Sequence, residues 1–145
     1  PNQHVRLLVM LVKFWAKRRR VYGQTQGRLS GYAFTQLAIF FLQVRPTLAP
    51  LPELLSGFFA FYAEQFEWTQ ECVSVVVGQR VLKASPRLRG APHLCIEDCV
   101  ERGVDMCAID LSTDENARLR LEMRRAWHLL QDAQARWDAV AEELT

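Results

Sequence analysis

Leu7, Leu8, Leu11, Val12 and Trp15 recur near a 3.6-residue period, which predicts an amphipathic helix from about His4 to Arg19. A polar, glycine-bearing loop follows over Tyr22 to Arg28. Ser30 is then placed to cap a helix from Gly31 to about Val44. That helix is apolar nearly all round (Ala33, Phe34, Leu37, Ala38, Ile39, Phe40, Phe41, Leu42), as expected for the buried centre of a bundle. Pro46, Pro50 and Pro52 mark a turn, and Pro52 suits the first turn of a further helix reaching about Phe66 with an aromatic face of Phe58, Phe59, Phe61 and Tyr62. The β-branched run Cys72 to Val77 predicts a short strand, and Gly78 to Pro92 an exposed basic loop. Leu94 to Asp110 is compact and mixed, with no clear period.

The last segment opens on a capping box, Ser112 with Glu115 three residues on. Leu119, Met123, Ala126, Leu130, Ala133, Trp137, Val140 and Leu144 then alternate at spacings of four and three, a heptad pattern. The stripe either packs on the chain's own bundle or receives a partner helix. Together these elements predict a mainly α fold: a helical bundle with one or two short β-strands. Residues 1–110 are read as the principal domain and 111–145 as a long C-terminal helix.

The chain has 145 residues, half of them hydrophobic, which suffices for one core. Net charge is only +2, but Arg6, Lys13, Lys17, Arg18, Arg19, Arg20 and Arg28 precede any acid. Such a surface attracts phosphates, unless it is only a solvated helix end. The cysteines Cys72, Cys95, Cys99 and Cys107 match no disulfide scaffold. Reduced thiols in an intracellular compartment, the mitochondrion or the cytoplasm, are expected. The longest apolar stretch, Tyr32 to Leu42, is too short for a bilayer, which needs roughly 20 residues.

No P-loop, GxSxG or HExxH motif is present. His93, Cys95, Cys99 and Cys107 lack the paired CxxC knuckle of a zinc site and read as structural thiols. Lys13 and Lys17, four apart, share a helix face and can meet a triphosphate or simply solvent. Tyr32, at a helix start beside Ser30 and Gly31, can stack on a base or enter the core. Asp98 and Glu101, three apart, accept hydrogen bonds only, from a base N–H or from a helix start.

The stretch RLLVMLVKFWAKRRRVYGQTQGRLSGYAFTQLAIFFLQ, Arg6 to Gln43, resembles the central domain of terminal uridylyltransferases and related poly(A) polymerases of the DNA polymerase β superfamily. The matching features are a vKxWaK helix, a polar loop, an LSxYA segment and an apolar helix ending in FLQ. LPELLSGFFAFYAEQFEW and LCIEDCVERGVD resemble two further family segments, the second of them the nucleotide-recognition motif. The resemblance runs in order from about Val5 to Leu130. It departs from the family pattern at Gly31, often a serine, and at Cys99, usually a proline. It also lacks a histidine between Arg102 and Met106.

The resemblance implies the C-terminal half of a polymerase-β-like nucleotidyltransferase, with the PAP-associated segment inside residues 1–110. It implies UTP as substrate, or ATP in the poly(A) polymerases, for template-independent transfer to an RNA 3′ end. Lys13, Lys17 and Ser30 would hold the triphosphate, Tyr32 would stack on the base, and Asp98 and Glu101 would read the base edge. Relatives carry magnesium on upstream aspartates of a sheet domain, whereas no acid here precedes Glu53. The chain is therefore expected to be a piece of an enzyme, inactive without that domain, or else an inactive assembly subunit.

Overall fold

The computed structural model describes residues 2–45, 49–83 and 93–145. Among these lie five α-helices: α1 (Asn2–Arg18), α2 (Gly31–Val44), α3 (Leu51–Ala60), α4 (Met106–Asp110) and α5 (Thr113–Leu144). One antiparallel pair joins β1 (Glu71–Cys72) to β2 (Val81–Leu82), with Glu71 opposite Leu82 and Cys72 opposite Val81. The fold is mainly α, as expected. Pro46 and residues 84–92, parts of the expected turn and basic loop, lie outside the described residues.

Burial follows the apolar pattern. Helix α2 sits at the centre, with Phe34, Leu37, Ala38 and Phe40 fully enclosed. Leu8, Val12 and Ala16 of α1 pack on it from one side, and Leu54, Phe58 and Phe59 of α3 join the same core. Helix α3 runs on into a π-helical turn, Phe61–Gln65, closed by the Phe66 N–H on the Phe61 carbonyl at 2.8 Å. The widened turn keeps Phe61, Tyr62 and Ala63 all buried. Two polar tips inside this aromatic layer are satisfied by backbone: the Tyr62 hydroxyl donates to the Leu37 carbonyl at 2.6 Å, and Trp68 Nε1 donates to the Tyr62 carbonyl at 2.7 Å.

Both expected caps form. Ser30 Oγ accepts from the Ala33 N–H at 3.1 Å and Ser112 Oγ from the Glu115 N–H at 3.2 Å. The box at Ser112 is only half closed, because the Ser112 N–H goes to the Gly27 carbonyl at 3.0 Å and the Glu115 carboxylate to Arg28 and Arg118. The loop before α2 is thereby tied to the start of α5. Gly27 is needed there: its φ is 71°, and a Cβ would lie 3.2 Å from the Ser112 side chain. Gly27→Ala is expected to cost about 1–2 kcal/mol in urea unfolding from the left-handed backbone alone.

The strand expected over Cys72 to Val77 ends at Cys72. Val73 makes one parallel bridge with Ile96, and then Ser74 diverts the chain. Its Oγ accepts from the Val77 N–H at 3.2 Å and its carbonyl from the Gly78 N–H at 2.9 Å, so the valines form a turn with Val76 and Val77 exposed. The heptad stripe of α5 divides. Leu119, Met123 and Ala126 belong to the common core, whereas Trp137 is 66% exposed and Leu144 80%. Among the described residues no helix is long and apolar enough to cross a membrane.

Candidate functional site

Residues 94–105 form a platform. The Val73 N–H donates to the Cys95 carbonyl and the Glu97 N–H to the Val73 carbonyl, at 2.9 and 2.8 Å. Asp105 binds the Ile96 N–H at 3.1 Å and caps α4 through the Cys107 N–H at 2.9 Å. Burial raises the Asp105 carboxyl above its ordinary value despite these two donors.

A tight loop projects from this platform. The Asp98 N–H meets the Val104 carbonyl at 2.9 Å, and Asp98 Oδ1 accepts from the Val100 and Glu101 N–H groups at 2.8 and 3.3 Å. Gly103, at φ 82°, closes the loop. Glu97 anchors it from below: Oε1 accepts from the Ser74 hydroxyl at 2.7 Å, Oε2 from the Gly103 N–H at 2.8 Å, and Arg102 lies 3.4 Å away. Burial pushes the Glu97 carboxyl up, but these donors outweigh it and hold the group below the ordinary glutamate value.

A carboxyl depressed on folding adds stability that is present above its unfolded value and lost as pH falls through its folded one. Glu71 beside Arg80 and Glu122 beside Arg19 share the sign of Glu97, and Asp105 opposes it. Resistance to urea is expected to fall on acidification below the ordinary glutamate value of 4.5, less steeply in Glu97→Gln. An unchanged slope in that variant would remove Glu97 as the anchor.

The loop faces the start of α2 across a pocket of about 330 Å³. Its lining is Gln24, Ser30, Tyr32, Asp98, Glu101, Val104, Met106 and Asp110. Thus four of the residues singled out in sequence, Ser30, Tyr32, Asp98 and Glu101, meet in one cavity although they come from distant segments. The Tyr32 hydroxyl lies 2.6 Å from Cys99 Sγ, which links α2 to the loop. That contact first, then burial, pushes the hydroxyl up to about 12, so it stays protonated at neutral pH. Cys99, where a proline was expected, supplies a tether that proline cannot.

Lys13 and Lys17 do not line this pocket. Both stand on α1, Lys13 half-buried and Lys17 exposed. Lys17 Nζ sits 5.0 Å from the centre of the Tyr22 ring. That ring stacks on Phe34 and abuts Gly31, where a Cβ would fall 2.6 Å from the Tyr22 hydroxyl oxygen. Lys17 is thereby linked through Tyr22 to the backbone beside Ser30. A side chain at position 31 would therefore require the Tyr22 hydroxyl to move.

Sequence reasoning missed Gln24 and Asp110. Gln24 Nε2 donates to Asp110 Oδ2 at 3.0 Å, joining the polar loop to α4 along one wall. Nothing local signals this pair, which is 86 residues apart. Cys72, Cys95 and Cys107 are buried thiols. Among the described residues no group of three or more His, Cys, Asp and Glu side chains is placed to hold a metal ion.

The chain is thus a helical bundle bearing a pocket between the start of α2 and an acidic loop. The family model described as Cid1 family poly A polymerase, PAP-associated, matches residues 50–103. The poly(A) RNA polymerase GLD2-A of Xenopus laevis is 22% identical over 168 residues, covering 90% of this chain and 33% of that protein. RNA editing TUTase 1 from Trypanosoma brucei, solved with the UTP analog UMPNPP, superposes with a TM-score of 0.73 at 18% identity, over 85% of this chain and 36% of that one. Cid1 with the same analog gives 0.74 at 22% identity, over 89% and 54%. The chain resembles the PAP-associated domain of terminal uridylyltransferases and related poly(A) polymerases, and it spans about a third of the length of the curated relatives it matches.

Proposed function

We propose that this chain is the nucleotide-selecting half of a template-independent RNA nucleotidyltransferase that adds UMP from UTP to an RNA 3′-hydroxyl. The observation that carries this reading is the convergence of Ser30, Tyr32, Asp98 and Glu101 on one pocket of about 330 Å³. The Tyr32 ring, 45% exposed, offers a face for a base. Asp98 and Glu101 offer acceptors to an N–H of its edge, and the uracil N3–H is such a donor. The Ser30 hydroxyl keeps its own proton to give to a phosphate or ribose oxygen while its lone pair caps α2. Lys17, with Lys13 one turn back, supplies positive charge to the phosphates.

The transfer itself needs magnesium and the carboxylates that hold it, which belong to a separate sheet domain. Met10 and Phe14 of α1, 61% and 64% exposed beside Lys13, form the face on which that domain would sit, closing the nucleotide into a cleft. The role of this half is positioning, which lowers the barrier by fixing the α-phosphate before the 3′-hydroxyl.

A second reading, AMP transfer from ATP, is favoured by the relatives that are poly(A) polymerases. It is compatible with the same carboxylates, which can accept from the adenine amino group. An extension assay with the longer protein, an RNA oligonucleotide and each nucleotide alone separates the two. UMP addition exceeding AMP addition supports the first reading. AMP addition in excess establishes the second, and no addition of either would overturn both.

A further inference from the structure

Helix α5 has 32 residues, which at 1.5 Å per residue is about 48 Å. Only its first half has a core to meet. Beyond the half-buried Leu130 the four-and-three spacing continues through Ala133, Trp137, Val140 and Leu144, and there the stripe is bare. An exposed tryptophan on an apolar stripe of unbroken period is unfavourable in water and marks a contact surface. The stripe borders a groove of about 490 Å³ between α3 and α5, with Gly57, Ala60, Leu130, Ala133 and Trp137 in its lining.

The charges flanking the stripe choose the occupant. In the heptad frame Ala133 and Val140 take position d, and Trp137 and Leu144 position a. Arg136 and Glu143, each one residue before an a position, both take position g. In a parallel pair, g residues face e residues, and Arg136 would meet Ala141. In an antiparallel pair, g faces g, so Arg136 of one copy lies beside Glu143 of the other, and the two-fold axis repeats the ion pair. The same register sets Trp137 against Val140 of the second copy and Ala133 against Leu144. It brings that leucine to the groove where Gly57 and Ala60 leave room.

We propose that the C-terminal half of α5 is a self-association surface on which two copies of this chain pair antiparallel, with Trp137 at the centre and two Arg136–Glu143 ion pairs at the flanks. The overlap is a few turns of helix, at the low end of specific interfaces, so the dimer is weak and depends on concentration. It uses no residue of the nucleotide pocket and stands apart from the nucleotide reading.

Sedimentation velocity across a concentration series tests this. The expected result is a shift from 16.7 kDa toward twice that mass as concentration rises. Trp137→Glu is expected to weaken the dimer by roughly tenfold or more, with helical circular dichroism retained. Arg136→Glu and Glu143→Arg should each weaken it alone by placing like charges together, and the double variant R136E/E143R should restore it. A monomer at every concentration, a dimer indifferent to Trp137→Glu, or a double variant no better than the single ones would overturn the proposal.

Discussion

Phe34→Ala is expected to lower the free energy of unfolding by about 3–5 kcal/mol, the range for truncating a buried aromatic. Phe34 is fully buried on α2. The edge-on ring of Trp15 lies 6.4 Å away, and the Tyr22 ring stacks on it at 6.1 Å. Truncation leaves a cavity, and collapse of α1 into it is opposed by Arg19, just beyond that helix, which is tied to Glu122 of α5 through two hydrogen bonds of 2.7 and 3.1 Å. The lost ring also supports Tyr22, which carries Lys17 on one side and packs on Gly31 on another. The variant should therefore lose nucleotide affinity even where it remains folded. Phe14→Ala, on the exposed face of α1, is expected to change stability by less than about 0.5 kcal/mol. Urea unfolding of the two variants checks both values, and a cost below about 1.5 kcal/mol for Phe34→Ala would show that the site relaxes far more than this packing allows.

Tyr32→Ala is expected to weaken nucleotide binding by roughly ten- to a hundredfold, the measure of one base stacked on an aromatic ring. The effect on folding should be small, because Tyr32 is 45% exposed and contributes to no core cluster. Tyr32→Phe separates the ring from its hydroxyl. It keeps the stacking face and loses the contact to Cys99 Sγ at 2.6 Å, so affinity should fall by only about threefold or less. Equilibrium dialysis with labelled UTP distinguishes these outcomes. A phenylalanine variant as weak as the alanine one would transfer the role from the ring to the Cys99 tether.

What the sequence disclosed depended on range. The caps at Ser30 and Ser112 are short-range devices, a side chain and a backbone N–H three residues apart, and both were legible. The centre of the bundle was legible because α2 is apolar nearly all round. The end of β1 was not, since β-propensity along Cys72 to Val77 competes with the Ser74 hydroxyl, and only the pairing of Val73 with the distant Ile96 shows where the ladder stops. The heptad stripe of α5 was legible as a pattern, but a pattern does not state where the core beneath it ends. Between Ala126 and Trp137 burial changes from 9% to 66% exposure with no change in period. In the pocket, Tyr32 and Cys99 are 67 residues apart. Periodicity cannot join such positions, and a family resemblance was needed to name Tyr32, Asp98 and Glu101 together. Gln24 and Asp110 carried no such label, and only the folded chain brings them to the wall.

Central to the proposed function is that the pocket between α2 and the acidic loop binds a nucleotide. Thermal-shift titration of this chain with UTP, ATP, CTP and GTP tests that most directly, because a ligand that binds the folded state raises the melting temperature by mass action. Selective stabilisation by UTP that disappears in both Asp98→Ala and Tyr32→Ala is the predicted result. No shift with any nucleotide up to millimolar concentration, or a shift that survives unchanged in both variants, would contradict it.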